Sequence, residues 1–159
     1  MGKEFYGTRN AEGRRFAIVA ASFNEYIVKS LVEGAKRSVL AAGVGENDLD
    51  IAWCPGAVEL PLVAQKLADT GRYDGIIALG CVIRGGTPHF EYVSGIAANG
   101  ITRASLDTGV PISFGVLTVE SIEQAIERAG TKMGNKGCEA ADAAIEMVTL
   151  LAAIEAAQS

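Results

Sequence analysis

The sequence predicts an α/β fold: a three-layer, doubly wound, flavodoxin-like sheet of four parallel strands. Four short apolar runs, of the kind found in strands buried on both faces, alternate with longer segments of helical periodicity. Such alternation is typical of βαβ units with right-handed crossovers. The length of 159 residues, with 49% hydrophobic and 21% charged residues, fits one globular domain spanning residues 1–159.

The first half of the chain contains two strand–helix pairs. The run FAIVAA predicts a strand at Phe16–Ala21, and apolar residues at every fourth position then predict a helix over residues 25–42. Gly43 favours the end of that helix. A second strand is expected at Leu49–Cys54. A second helix is expected at residues 58–67, with a proline tolerated in its first turn.

The second half adds two strands and three helices. The apolar run GIIALGCVI predicts a third strand at Gly75–Ile83, and helical material follows over about residues 88–106. The fourth strand is expected at residues 111–117. A short helix at residues 120–129 and an alanine-rich helix at residues 139–156 complete the fold.

Two segments have more than one interpretation. Within an N-terminal arm of residues 1–13, residues 4–6 form either a frayed end or a strand that extends a neighbouring subunit's sheet. The polar, glycine-rich residues 130–137 are predicted to form a turn between the last two helices. By composition alone it is a flexible connector.

Charge and composition exclude several classes of function. The net charge is −5 and no run of Lys or Arg forms a basic stripe, so nucleic acid and anionic membranes are not expected partners. The apolar runs are far shorter than the roughly 20 residues of a membrane span, and the first residues lack a signal-type stretch. Three cysteines without CxxC spacing predict no structural zinc and a reducing, cytoplasmic location.

We expect the ligand site at the carboxyl ends of the strands, where open α/β sheets bind their ligands. The only histidine, His89, follows the third strand, and imidazole readily exchanges a proton near neutral pH. It is either a catalytic acid–base or an ordinary surface or core residue. The preceding RGGT at residues 84–87 is either an anion nest that leads into a helix or a plain turn. It matches no Walker or GxGxxG motif.

Four other residues have paired interpretations. Cys81 is either a nucleophile or a small buried hydrophobe. Phe23 is either a core residue or a ring on which a flat substrate stacks. Glu59 is either a first-turn helix charge or an acceptor for ligand N–H groups. Arg128 is either a solvated charge at a helix C-terminus or a ligand for an anion.

Five stretches, taken in order, resemble the lumazine synthase family over nearly the whole chain. They are ASFNEYI at residues 21–27, CPGAVELP at 54–61, ALGCVIRGGTPHFEYV at 78–93, FGVLTVESIEQAIERAG at 114–130 and GTKMGNKGCEAADAAIEM at 130–147. Two positions depart from the family pattern. Ser22 stands where many members have arginine, and Gly86 stands where relatives are often acidic or polar, so a phosphate contact there would come from the backbone N–H.

The resemblance implies a transferase that condenses 5-amino-6-(D-ribitylamino)uracil with 3,4-dihydroxy-2-butanone 4-phosphate. The products would be 6,7-dimethyl-8-ribityllumazine, a riboflavin precursor, with phosphate and water. No metal and no organic cofactor is implied, in agreement with a sequence that shows no metal-ligand cluster and no dinucleotide fingerprint. The rival interpretations are a non-catalytic flavin- or phosphate-binding module of flavodoxin type, and a shell or scaffold protein with a vestigial site.

The resemblance also implies a role for each site residue. His89 would be the proton shuttle. The pyrimidine would be held by Phe23, Ala57, Val58, Glu59, Cys81, Val82, Ile83 and Phe114. The butanone phosphate would be gripped by Gly86, Thr87 and Arg128. Lys136 matches a family lysine near the site. Phe114 and Arg128 would come from a neighbouring subunit.

In that family the expected homo-oligomer is a pentamer, which can close into a sixty-subunit icosahedral shell. A long insertion between the last two helices blocks closure in relatives. Residues 130–137 form a short connection here, which favours the shell. Riboflavin synthase is a candidate partner, beside the small-molecule substrates.

Overall fold

Four apolar segments pair into one parallel sheet in the computed structural model, which describes residues 2–158. The strands are β1 (Phe16–Ala21), β2 (Leu49–Cys54), β3 (Gly75–Ile83) and β4 (Ile112–Val119). They pair in the order β2-β1-β3-β4, so β1 and β3 are central while β2 and β4 are edge strands. The predicted flavodoxin-like sheet of four parallel strands is confirmed.

Helices cover both faces of the sheet. The helices α1 (Glu25–Ala41) and α5 (Lys136–Ala156) pack on one face, and α2 (Leu60–Asp69) and α3 (His89–Thr108) pack on the other. Alternate residues of β1 belong to the two cores, and all six are buried. Burial on both sides explains the continuous apolar run in the sequence. Within residues 2–158, no helix is both long enough and apolar enough to cross a membrane.

The helices α1 and α5 approach each other closely at the start of α5. A Cβ on Gly137 would lie 2.0 Å from the carbonyl oxygen of Leu31, so only glycine fits there. Asn135 caps α5: its side-chain oxygen accepts hydrogen bonds from the N–H groups of Gly137 and Cys138. The same side chain donates to the Ser30 carbonyl. These contacts fix the first turn of α5 against α1.

Two helices begin later than predicted. The helix after β4, α4, spans Ile122–Glu127 rather than residues 120–129. The Ser121 hydroxyl accepts a hydrogen bond from the Gln124 N–H, which caps the helix and fixes its start. Where a helix is predicted at residues 58–67, the structure has a single 3-10 turn at Ala57–Glu59, followed by α2 from Leu60.

The turn predicted at residues 130–137 is the tip of a short β-hairpin. The segment takes part in a small antiparallel pair formed by β5 (Ala129–Thr131) and β6 (Gly134–Asn135). Gly134 has φ of 79°, a left-handed conformation that glycine adopts without strain. As a result α5 begins at Lys136, three residues before the predicted start at residue 139.

Residues 7–9 of the N-terminal arm lie along α5, and residues 2–15 form no strand. The Thr8 N–H donates to the Thr149 hydroxyl at 2.8 Å, and Arg9 pairs with Asp142 at 2.9 Å. Residues 4–6 therefore pair with no strand of their own chain, and both interpretations of this segment stay predictions.

Candidate active site

A pocket of about 390 Å³ lies at the carboxyl ends of β1, β2 and β3, and we call it the His89 pocket. It brings together most of the residues predicted for the site: Phe23, Ala57, Val58, Glu59, Cys81, Val82, Ile83, Thr87 and His89. Gly56, Phe90 and Val93 line it as well, although the sequence analysis did not place them in the site. Val93 lies one helical turn after His89, so helical periodicity would have indicated it.

Phe23 is held at the rim of the His89 pocket by its neighbour in the chain. Asn24 has φ of 61°, the only positive φ of a non-glycine residue among those described, and asparagine tolerates this conformation. Its side-chain amide donates to the Cys81 carbonyl at 2.9 Å and so ties the end of β1 to β3. The Phe23 ring is 71% exposed, which leaves a face free for a flat ligand. This role of Asn24 is not evident from the sequence, because its partner Cys81 lies far along the chain.

The loop after β3 brings backbone N–H groups and the imidazole to one place. The N–H groups of Gly85, Gly86 and Thr87 donate no hydrogen bond within the described chain. Gly86 does not itself line the pocket, but it lies between two residues that do. His89, the first residue of α3, is exposed and makes no side-chain hydrogen bond within residues 2–158. Its ring nitrogens are therefore available to a ligand.

Cys81 lines the His89 pocket but is poorly suited to act as a nucleophile. Burial raises the pKa of its thiol to about 11. At neutral pH the group is a neutral thiol, whereas nucleophilic attack needs the thiolate. The structure therefore favours the interpretation of Cys81 as a small buried hydrophobe. No group of His, Cys, Asp and Glu residues able to hold a metal ion occurs within residues 2–158.

Three other predicted residues lie in a second pocket, which we call the Arg128 pocket. Its volume is about 370 Å³, it runs along the edge strand β4, and Phe114, Arg128 and Lys136 line it together with Glu139. The Arg128 guanidinium donates to the Gln124 carbonyl at 3.1 Å, which orients the side chain. The two pockets share no lining residue. One chain thus holds the predicted site in two separate parts.

A family model described as 6,7-dimethyl-8-ribityllumazine synthase matches residues 13–152. The match includes all four strands of the sheet and every residue of both pockets. The chain belongs to the 6,7-dimethyl-8-ribityllumazine synthase family.

Membership of this family makes the chain a transferase of riboflavin biosynthesis. Its reaction joins 5-amino-6-(D-ribitylamino)uracil to 3,4-dihydroxy-2-butanone 4-phosphate and releases the lumazine, phosphate and water. Nothing in the comparison favours the alternative of a non-catalytic flavodoxin-like module. A lumazine synthase must hold two substrates at once, a flat pyrimidine and a phosphorylated ketone.

Proposed function

We propose that the lumazine synthase reaction takes place in the His89 pocket and that the Arg128 pocket of a neighbouring subunit completes the site. The observation that carries this proposal is the distribution of positive charge. Among residues 2–158, no lysine or arginine lines the His89 pocket, whereas Arg128 and Lys136 line the other pocket. A phosphate monoester carries close to two negative charges near neutral pH, and burying it without a cation is costly. The His89 pocket of one chain would lack that cation.

The pyrimidine occupies the apolar side of the proposed site. Its ring stacks on the exposed face of Phe23. The 3-10 turn Ala57–Glu59 holds the ribityl chain, with the Glu59 carboxylate accepting hydrogen bonds from its hydroxyls. Backbone groups of residues 81–83, at the end of β3, contact the edge of the ring. Phe114 of the neighbouring subunit closes the pocket.

The phosphate of the second substrate lies at the loop after β3. The unbonded N–H groups of Gly86 and Thr87 donate to its oxygens, and the positive end of the α3 dipole favours an anion there. Arg128 of the neighbouring subunit adds a planar fork of donors that matches phosphate geometry. Lys136 beside it adds a second positive charge.

His89 serves the proton transfers of both chemical stages. Attack of the pyrimidine amine on the ketone carbonyl gives a carbinolamine, and imine formation needs a proton on the hydroxyl that leaves as water. Phosphate elimination then needs a C–H proton removed and leaves an enol, which tautomerises to a ketone. The ribityl-bearing nitrogen attacks this ketone carbon, and loss of a second water closes the second ring. An imidazole near neutral pH can donate the first proton and accept the second. Holding the two substrates together supplies much of the remaining acceleration.

The reaction itself is tested by incubating the protein with both substrates and recording lumazine absorbance and released phosphate. We expect one phosphate per lumazine, and neither product when either substrate is omitted. A flavin- or phosphate-binding module would bind riboflavin or phosphate and form no lumazine. A folded protein that behaves in this second way would contradict the proposal.

We further propose a pentamer that closes into an icosahedral shell. In support, several apolar side chains on α3 are exposed in the single chain: Tyr92 (68%), Ile96 (49%) and Leu106 (79%). The connection between α4 and α5 is a compact hairpin without an insertion. Riboflavin synthase would consume the product and is the proposed partner. The three cysteines are free, which fits the reducing cytoplasm proposed as the location.

A further inference from the structure

Arg84 contacts both ends of the loop that follows β3. Its backbone N–H donates to the Val119 carbonyl at 2.8 Å, which anchors the start of the loop to β4. Its guanidinium Nη1 donates to the Glu91 carboxylate at 2.5 Å, in the first turn of α3. Its Nε lies 2.8 Å from the Glu120 carboxylate, and its Cζ lies 4.4 Å from the centre of the Phe90 ring.

The loop between these contacts has little else to hold it. The N–H groups of residues 85–87 donate no hydrogen bond within the described chain, and a Cβ built on either Gly85 or Gly86 would meet nothing within 4 Å. The Pro88 carbonyl accepts one bond, from the Glu91 N–H. Two adjacent glycines in open space carry a large conformational entropy. An external constraint is therefore needed to keep the loop in one shape.

The contacts of Arg84 suit it to constrain this loop rather than to bind the ligand. It does not line the His89 pocket, and its Nη1 and Nε groups already face carboxylates. Phe90, against which the guanidinium packs, is the residue after His89 and lines the pocket itself. The Glu91 carboxylate raises the pKa of Arg84, and the hydrogen bond from Arg84 lowers the pKa of Glu91. The pair therefore stays charged through the neutral range.

We propose that Arg84 is a positioning residue for the loop of residues 85–88. It clamps this loop between β3 and the first turn of α3. The clamp keeps the phosphate-binding N–H groups and His89 in fixed positions relative to each other. This inference rests on the function proposed above, because it assigns Arg84 to the same phosphate loop. The bidentate, planar guanidinium is what allows one side chain to reach two carboxylates and a ring at once.

The clamp is tested with inorganic phosphate as the probe, by calorimetric titration, beside steady-state kinetics with both substrates. Arg84→Met should weaken phosphate binding about five- to tenfold and raise the KM for the butanone phosphate in parallel. The KM for the pyrimidine should change less than about twofold, because the Phe23 side of the pocket is untouched. Arg84→Lys should recover only part of the loss.

The variant Glu91→Gln shows whether Arg84 is a clamp or a direct phosphate ligand, because the two roles predict opposite changes in phosphate affinity. If Arg84 acts as a clamp, loss of its carboxylate partner should weaken phosphate binding by about two- to fivefold, and the double variant should bind no more weakly than Arg84→Met. If Arg84 were a phosphate ligand held back by Glu91, the same change would tighten binding. Tighter binding in Glu91→Gln, or additive losses in the double variant, would overturn the proposal.

Arg14→Met is the matched control, since Arg14 also forms a partly exposed ion pair, with Asp74 at 3.8 Å, at the amino ends of β1 and β3, opposite the pocket. It should leave both constants unchanged. His89→Gln and Arg128→Ala are measured in the same series. If those two are impaired while the Arg84 variants match wild type, only the clamp fails; if all match wild type, the proposed site fails. Should Arg84→Met not fold, Arg84→Lys and Glu91→Gln still decide the question.

Discussion

His89 is the residue on which the proposed chemistry depends most. The sequence indicated it because it is the only histidine and follows a strand of a predicted parallel sheet. The structure places it in the pocket with eight other predicted residues and leaves its side chain without a hydrogen-bonding partner in the described chain. The sequence could not show that last point, because the environment of a side chain depends on residues distant along the chain.

Replacing His89 by Gln should lower kcat by about ten- to a thousandfold, because a general acid–base, which typically contributes about a hundred- to ten-thousandfold, is lost. Activity should persist at that level because both substrates are still held together. The exposed position predicts little change in Tm, which serves as the folding control. Lumazine formation measured under saturating substrates checks the prediction. A folded variant with wild-type turnover would show that His89 is not the proton shuttle.

Cys81 offers a prediction about pH. Burial raises its pKa from an ordinary 9.0 to about 11, so the folded chain retains a proton that the unfolded chain loses between those values. The resulting stabilisation is complete below pH 9 and is lost as the pH rises through about 11. Relative to Cys81→Ala, the wild-type protein should therefore lose about 2–3 kcal/mol of unfolding free energy across this range. Urea unfolding at a fixed protein concentration measures the difference, and an equal gap at pH 8 and pH 11 would contradict it.

At the scale of elements, apolar runs in the sequence predicted the limits of strands well, whereas polar segments did not. β1 and β3 were predicted at their observed limits because both faces of these strands are buried, which leaves an unbroken apolar signal. The hairpin of β5 and β6 carries no such signal, since its strands are two and three residues long and lie mostly at the surface. Short polar strands of this kind are determined by tertiary contacts such as the cap at Asn135.

The hairpin of β5 and β6 connects Arg128 to Lys136, the two cations of the Arg128 pocket. The Lys136 N–H donates to the Arg128 carbonyl at 2.9 Å, and the Met133 N–H donates to the Glu127 carbonyl at 2.8 Å. These bonds hold the end of α4 against the start of α5. Arg128 and Lys136 are thus fixed relative to each other although they lie eight positions apart in the sequence.

Arg128→Ala should raise the KM for the butanone phosphate much more than the KM for the pyrimidine. Loss of a charge-assisted, two-point contact costs about 1.5–3 kcal/mol, which corresponds to roughly ten- to a hundredfold in KM. Arg128→Lys should restore part of the loss, because the charge remains while the fork is gone. Steady-state kinetics with each substrate varied in turn provides the measurement. Equal increases for both substrates would make Arg128 a structural residue.

At the scale of the whole molecule, the sequence predicted the site residues but not their separation. Phe114 and Arg128 follow the others in chain order, and only the strand order β2-β1-β3-β4 shows that β4 is an edge strand with a pocket of its own. The family resemblance supplied the idea of a neighbour's contribution. Among the described residues, no lysine or arginine lines the His89 pocket, and this gives a physical reason for a contribution from a neighbouring subunit.

Assembly size is a separate prediction. Exposed apolar side chains on α3 and an edge strand at each side of the sheet favour a homo-oligomer in solution. Light scattering at neutral pH should give the mass of a pentamer or of a sixty-subunit shell, and electron microscopy should show hollow particles in the second case. An active pentamer without larger species would refute the shell alone. A fully active monomer would refute the shared site as well.

The most direct test of the shared site mixes two impaired variants. His89→Gln leaves the Arg128 part of the site intact, and Arg128→Ala leaves the His89 part intact. A site shared between one subunit of each variant can therefore combine the two intact parts. Equal amounts of the two variants are refolded together, and each variant refolded alone is the control. We expect roughly one quarter of the sites to be intact, with wild-type-like turnover at those sites, because the neighbours combine at random. Activity of the mixture no higher than the mean of the two separate variants would show that each site lies within one chain.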